Sequence, residues 1–149
     1  IEKTTESLRL ANQFLNGIFS KKNCSMLFVN LNNESSISTK ICALRSVQPF
    51  LTKSWWGGTF TNVLCQNKID IIFVTSAKNN NFILQEAKKL NIPVIAVVDT
   101  DIDPNLVTFP IWLNDDSVNI HHELTFLISS MILQAKLTEY GIICKNKIK

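Results

Sequence analysis

The residues best suited to chemistry are three aspartates at alternate positions, Asp99, Asp101 and Asp103, directly after the apolar run Val94–Val98. Carboxylates at the end of a buried strand can hold Mg²⁺, which suggests a small magnesium-dependent α/β enzyme using Asp99 and Asp101. Alternate residues of an extended chain point to opposite sides, so three ligands converge only if the chain turns there. In the other interpretation, the side chains close a turn before Pro104 and bind local amides.

A second polar cluster, Asn114, Asp115, Asp116 and Ser117, precedes a long amphipathic stretch. Asp and Ser near a helix start satisfy unpaired amides and complement the helix dipole. Capping is therefore enough to explain the cluster, and an exposed docking role for a partner is the alternative.

Other catalytic patterns are missing from the sequence. His121 and His122 are adjacent and do not share a helix face, which disfavours a metal pair and a catalytic triad. There is no G-x-G-x-x-G and no P-loop, and the loop at 30–35 lacks glycine, so a dinucleotide enzyme is disfavoured.

An unusual turn follows Lys53. It carries Trp55, Trp56, Gly57, Gly58, Thr59, Phe60, Thr61 and Asn62. Two tryptophans beside a Gly-Gly pair, followed by small hydroxylic residues, predict a tight turn with backbone amides available at a helix start. Such a turn can bind a phosphate or another protein, or its aromatic rings can pack on the protein's own core.

The elements that must position these residues alternate along the chain. Buried strands are predicted at 26–29, 46–51, 69–75, 94–98 and 109–113. Helices are predicted at 4–19, 34–44, 80–90 and 117–137, with a short one ending near Cys65 and a basic tail at 145–149. Pro49 restricts the second strand to an edge. The alternation predicts a three-layer, doubly wound α/β fold with a mainly parallel sheet of about five strands, formed by 1–149 as a single domain.

Composition constrains the function only loosely. The chain has 149 residues, 46% hydrophobic and 18% charged, and a net charge of +3, which permits a polyanionic partner. It has 18 Ile and 16 Asn, and 13 of its 15 basic residues are Lys, which suggests an AT-rich coding genome such as that of an organelle. The four cysteines have neither zinc-site nor disulfide spacing, so reduced thiols are expected.

Three segments carry a family resemblance. They are 55–62 (Trp-Trp-Gly-Gly-Thr-Phe-Thr-Asn), 85–103 (from Gln-Glu-Ala-Lys-Lys to Val-Val-Asp-Thr-Asp-Ile-Asp) and 114–117 (Asn-Asp-Asp-Ser). In this order and combination they resemble the second small-subunit ribosomal protein, in its bacterial and organellar form. The resemblance covers most of the chain.

The resemblance implies a flavodoxin-like domain without enzymatic activity or cofactor. It implies a structural role in the small ribosomal subunit, with ribosomal RNA and neighbouring proteins as partners and with neither a membrane nor a small-molecule substrate. The family's long helical hairpin after the Gly-Gly turn is absent, because only 63–69 span the gap. A shortened, AT-biased member fits a mitochondrial ribosome.

The expected RNA-binding or docking residues follow from this resemblance and from the lysines, which can neutralise phosphates. They are Lys21, Lys22, Arg45, Lys53, Trp55, Trp56, Gly57, Gly58, Thr59, Thr61, Asn62, Lys78, Asp99, Asp101, Asn114, Asp115 and Asp116. No catalytic or metal-binding residue is expected in this case. The magnesium enzyme and a flavodoxin-like ligand-binding module are the alternative functions.

Overall fold

The computed structural model describes residues 2–20, 24–52, 58, 69–100, 102–114 and 116–147. The helices are α1 (Glu2–Phe19), α2 (Ser36–Arg45), α3 (Asn81–Lys89) and α4 (Val118–Lys147). The strands are β1 (Met26–Val29), β2 (Phe50–Leu51), β3 (Ile71–Val74), β4 (Val94–Val98) and β5 (Phe109–Trp112). Short 3-10 turns precede α3 and β5.

The five strands form one sheet in the order β2-β1-β3-β4-β5. Every neighbouring pair is parallel, as in Phe28 beside Phe73 and Ile95 beside Phe109. The residues of β1, β3 and β4 are all buried, because helices cover both faces of a parallel sheet. The predicted α/β fold is confirmed.

The two faces of the sheet bury different side chains. Alternate strand residues such as Phe28, Phe73 and Val97 pack against α1, α4 and Ala43 of α2. The intervening residues, such as Val74, pack against α3. α4 contacts both α1 and α2, and Thr4 ties α1 to the sheet by donating a hydrogen bond to the Trp112 carbonyl (2.7 Å).

Two predicted boundaries differ from the structure. β2 has only two residues, because Ser46 and Val47 form the turn that ends α2. α4 runs ten residues past the predicted end at Leu137, since the apolar spacing fades there while no proline interrupts the helix. The predicted turn and short helix at 55–65 lie outside the described residues, apart from Gly58. None of the described helices is long and apolar enough to cross a membrane.

Candidate functional site

The carboxyl edge of the sheet gathers most of the described site residues. In a parallel sheet all strands end at the same edge, where such folds place what they bind. Lys78 is exposed and begins the 3-10 turn after β3, and Asp99 follows β4. Asn114 and Asp116 follow β5 and are exposed. The structure therefore brings these four residues to one edge.

The aspartates after β4 accept hydrogen bonds from nearby amides. Asp99 accepts from the Thr100 amide (2.7 Å), and Asp103 accepts from the Asn105 amide (3.0 Å) at the start of a 3-10 turn. These contacts are those expected if the aspartates close a turn before Pro104, which was the alternative to a magnesium site. Asp101 lies outside the described residues. Within the described part of the chain, no three His, Cys, Asp or Glu side chains cluster as metal ligands would.

The polar residues before α4 make a similar turn. Asn114 accepts a hydrogen bond from the Asp116 amide (2.8 Å), and the Ser117 carbonyl accepts from the His121 amide (3.3 Å) inside the first helical turn. Local hydrogen bonding accounts for these positions, while the exposed Asp116 side chain can still meet a partner. Asp115 is not among the described residues.

A buried polar network beneath this edge was missed by the sequence analysis. The Asn30 amide nitrogen donates to the hydroxyls of Ser35 (2.8 Å) and Thr39 (2.7 Å), and its oxygen accepts from the Asn32 backbone amide (3.0 Å). Ser35 Oγ also lies 3.3 Å from His121 Nδ1. These four side-chain partners, Asn30 included, are all buried.

The network joins three elements. Asn30 directly follows β1, Ser35 caps the start of α2 and Thr39 lies in its first turns, and His121 belongs to α4. Ser35 occupies the cap position of α2, but its hydroxyl makes no capping bond. A polar residue directly after an apolar strand, followed by Ser and Thr at helical spacing, was the available signal. The geometry suits fixing the sheet edge.

Gly58 is the one described residue of the Trp-Trp-Gly-Gly turn. Its φ of 90° lies in the left-handed region that favours glycine, which supports a tight turn at this position. Nine other predicted residues, from two separate parts of the chain, lie outside the described residues. They are Lys21, Lys22, Lys53, Trp55, Trp56, Gly57, Thr59, Thr61 and Asn62.

Arg45 lies away from the four predicted residues described at the carboxyl edge. α2 begins beside the carboxyl edge at Ser36, and Arg45 is its last residue, roughly 14 Å further along the helix axis. The guanidinium sits 4.5 Å from the ring centroid of Phe126 on α4. Among the described members of the predicted set, Lys78, Asp99, Asn114 and Asp116 lie at the carboxyl edge, and Arg45 lies on the surface between α2 and α4.

The fold and this edge define a three-layer α/β protein whose described polar residues cap turns and tie elements together. Sequence comparison then shows what the chain is similar to. Residues 64–135 match the family model "Ribosomal protein S2". The matches below agree with the resemblance that the motifs predicted. Similarity to ribosomal proteins is in line with the prediction that the chain is not an enzyme.

Three similar proteins, all from bacteria, are each named small ribosomal subunit protein uS2. The one from Coprothermobacter proteolyticus is 42% identical over 74 residues, covering 50% of this chain and 28% of the relative. That from Dictyoglomus thermophilum is 40% identical over 67 residues, covering 45% and 27%. That from Mesoplasma florum is 29% identical over 171 residues, covering 80% and 64%.

The chain spans about a quarter to just under two thirds of the length of these relatives. The Mesoplasma florum alignment is 171 residues long but uses only 80% of this 149-residue chain, or about 119 residues. Roughly 50 aligned positions of that relative therefore have no counterpart here. This difference in length agrees with the prediction that the helical hairpin after the Gly-Gly turn is absent.

Proposed function

We propose that this chain is a structural constituent of the small subunit of a mitochondrial ribosome, where it binds ribosomal RNA and neighbouring ribosomal proteins. The observation that carries the proposal is the match of residues 64–135 to ribosomal protein S2, which includes β3, β4, β5 and most of α4. The same segment supplies three of the five parallel strands that end at the polar edge. Its described polar groups stabilise turns, as expected of a docking scaffold.

The RNA contact is proposed at the carboxyl edge. Lys78 is exposed there, and Lys53 and the Gly57-Gly58 turn are proposed to assist. Lysines bind phosphate oxygens without reading sequence, and each neutralised phosphate releases counterions. Asp99 and Asp116 at the same edge would meet basic groups of protein neighbours. RNA and protein contacts would then share one edge.

The mitochondrial assignment rests on composition and on length. The chain is rich in Ile, Asn and Lys, and it lacks roughly 50 positions of a bacterial relative. A ribosomal protein of an organelle would have this composition if its gene were AT-rich. It would have this length if it had lost an RNA-binding insertion. The assignment is tested separately from the ribosomal role by locating the tagged chain in isolated, protease-treated mitochondria.

The central experiment is sedimentation of the tagged full chain from a mitochondrial extract. The chain should travel with the small subunit and its RNA on a sucrose gradient, and RNase treatment should shift it to the top. A chain that stays at the top of the gradient before RNase treatment, with no ribosomal RNA in its purified particle, contradicts the proposed function.

A matched pair of lysines tests the proposed RNA edge. Lys78→Gln should lower RNA binding and reduce the dependence of log affinity on log salt by about one unit, as loss of one phosphate contact does. Lys89→Gln, on the exposed end of α3, should change neither quantity. Equal effects of the two substitutions would argue against an RNA surface at this edge.

A further inference from the structure

The apolar side chains of α2 face outward. Ile37, Ile41 and Leu44 follow helical spacing and are 69%, 60% and 58% exposed, whereas its buried side chains include Thr39 and Cys42. In an isolated globular domain, the larger aliphatic side chains of a surface helix normally face the core. An exposed apolar stripe of this kind marks an interaction surface.

The stripe continues onto α4 and has charged borders. A shallow cavity of about 380 Å³ lies between the two helices, lined by Ser38, Ile41, Cys42, His122, Glu123 and Phe126. Lys40 and Arg45 flank the stripe on α2, held over the rings of Phe50 (5.7 Å) and Phe126 (4.5 Å). We name this surface, from Ile37 through Leu44 with Phe126, the α2–α4 groove.

We propose that the α2–α4 groove binds an amphipathic helix of a neighbouring protein in the same particle, with acidic residues of that helix against Lys40 and Arg45. The inference rests on the proposed function and adds a surface and a partner chemistry to it. A helix laid in a groove buries residues at i, i+3, i+4 and i+7 spacing, which suits the stripe on α2.

A protein helix fits this surface better than RNA does. Ile37, Ile41 and Leu44 offer aliphatic groups, which neither stack on bases nor bind phosphates. Lys136, the next cation along the surface, donates to the Ser46 carbonyl (2.9 Å). Glu123 at the other end of the groove would also repel a phosphate backbone. The groove therefore presents a mainly apolar centre with cations along its α2 side.

The test uses the purified small-subunit particle that contains the full chain, with p-benzoylphenylalanine introduced at position 41 as a photo-crosslinking probe. We expect a cross-link to a segment of another subunit protein whose sequence is amphipathic, helical and acidic. The same probe at position 82, where Phe82 is 77% exposed on α3, is the matched control and should not cross-link to that segment.

Substitutions then test the chemistry. Ile41→Asp should lower the amount of the cross-linked partner in the particle by at least about tenfold, as expected from the loss of one buried aliphatic side chain. Arg45→Glu should lower it as well. Phe82→Asp and Lys89→Glu should leave it within about twofold, and circular dichroism should show that all four variants are folded.

The outcomes separate this inference from the proposed function. A wild-type particle without ribosomal RNA contradicts the proposed function. A particle that holds ribosomal RNA but gives no cross-link at position 41, or a cross-link to RNA, to a second copy of this chain or to a basic segment, overturns the groove inference alone. Equal partner loss in Ile41→Asp and Phe82→Asp also overturns it.

Discussion

Ser35 and His121 belong to different helices, 86 positions apart, and their side chains meet in the core with Ser35 Oγ 3.3 Å from His121 Nδ1. Ser35 also accepts a hydrogen bond from Asn30 at the end of β1. One hydroxyl thus links a strand and two helices beneath the polar edge. Because the groups are buried, their hydrogen bonds replace water that the fold excludes.

Ser35→Ala should destabilise the protein by about 1–3 kcal/mol, because it removes a buried partner of both Asn30 and His121. Chemical denaturation measures the free energy of unfolding. The control is Ser130→Ala, since Ser130 donates only to the Phe126 carbonyl of its own helix (2.9 Å). That variant should stay within about 0.5 kcal/mol of the wild type. If both substitutions lower the free energy of unfolding by a similar amount, the network does not stabilise the fold as proposed.

Val47→Gly should stabilise the protein by roughly 0.5–1 kcal/mol. Val47 has a φ of 55°, and a left-handed conformation costs an L-residue roughly 1–2 kcal/mol, more than glycine loses in unfolded-state entropy. The side chain is 79% exposed, so little packing is lost. Asn91→Gly, at a φ of 54°, should gain less because Asn tolerates this region. Thermal unfolding ranks the two variants, and a less stable Val47→Gly refutes the argument.

Gln48→Leu should cost about 1–3 kcal/mol of stability. The side-chain oxygen of Gln48 accepts a hydrogen bond from the backbone amide of Met26 (2.6 Å). This bond lies next to the pairing of β1 with β2, where the Phe28 amide donates to the Pro49 carbonyl. The substitution leaves that buried amide without its acceptor. Gln85→Leu on the exposed side of α3 is the comparison and should be nearly neutral. Urea titration gives both values, and a neutral Gln48→Leu would show that the amide finds another acceptor.

Cys42 should react slowly with iodoacetamide in the folded protein at pH 8. Burial raises the pKa of its thiol, an effect that the nearby Arg45 charge partly opposes, so less of the reactive thiolate is present than in the unfolded chain. The rate should rise as pH increases towards the raised pKa. Arg45→Gln should slow the reaction further. Mass spectrometry of the Cys42 peptide, with and without urea, measures the rates, and equal rates in the two conditions contradict the prediction.

The sequence predicted the elements of the fold well because each is encoded locally. The apolar runs at 26–29 and 94–98 match β1 and β4 residue for residue. The turn interpretation of Asp103 before Pro104 also agrees with its hydrogen bond to Asn105. Helix ends were less accurate: α4 continues to Lys147, since no proline marks an earlier end.

The direction that a helix face takes could not be predicted in the same way. The spacing of Ile37, Ile41 and Leu44 indicated a helix, and α2 is one, but the stripe points to solvent. The opposite face of α2 is the buried one. There the Thr39 hydroxyl accepts a hydrogen bond from Asn30, and the Cys42 carbonyl accepts one from Ser129 of α4 (2.9 Å). Periodicity identifies a face, whereas long-range contacts decide whether that face is buried.

The sequence by itself determined the family resemblance, the order of strands and helices along the chain and the polar residues that follow β4 and β5. These properties depend on neighbouring residues and on motifs whose spacing is fixed along the chain. Only the tertiary structure decided that Ser35 meets His121, that Arg45 lies apart from Lys78, and that α2 exposes its aliphatic side chains. Those relations depend on packing between segments that are far apart in sequence. The free energy of that packing cannot be predicted from a local pattern.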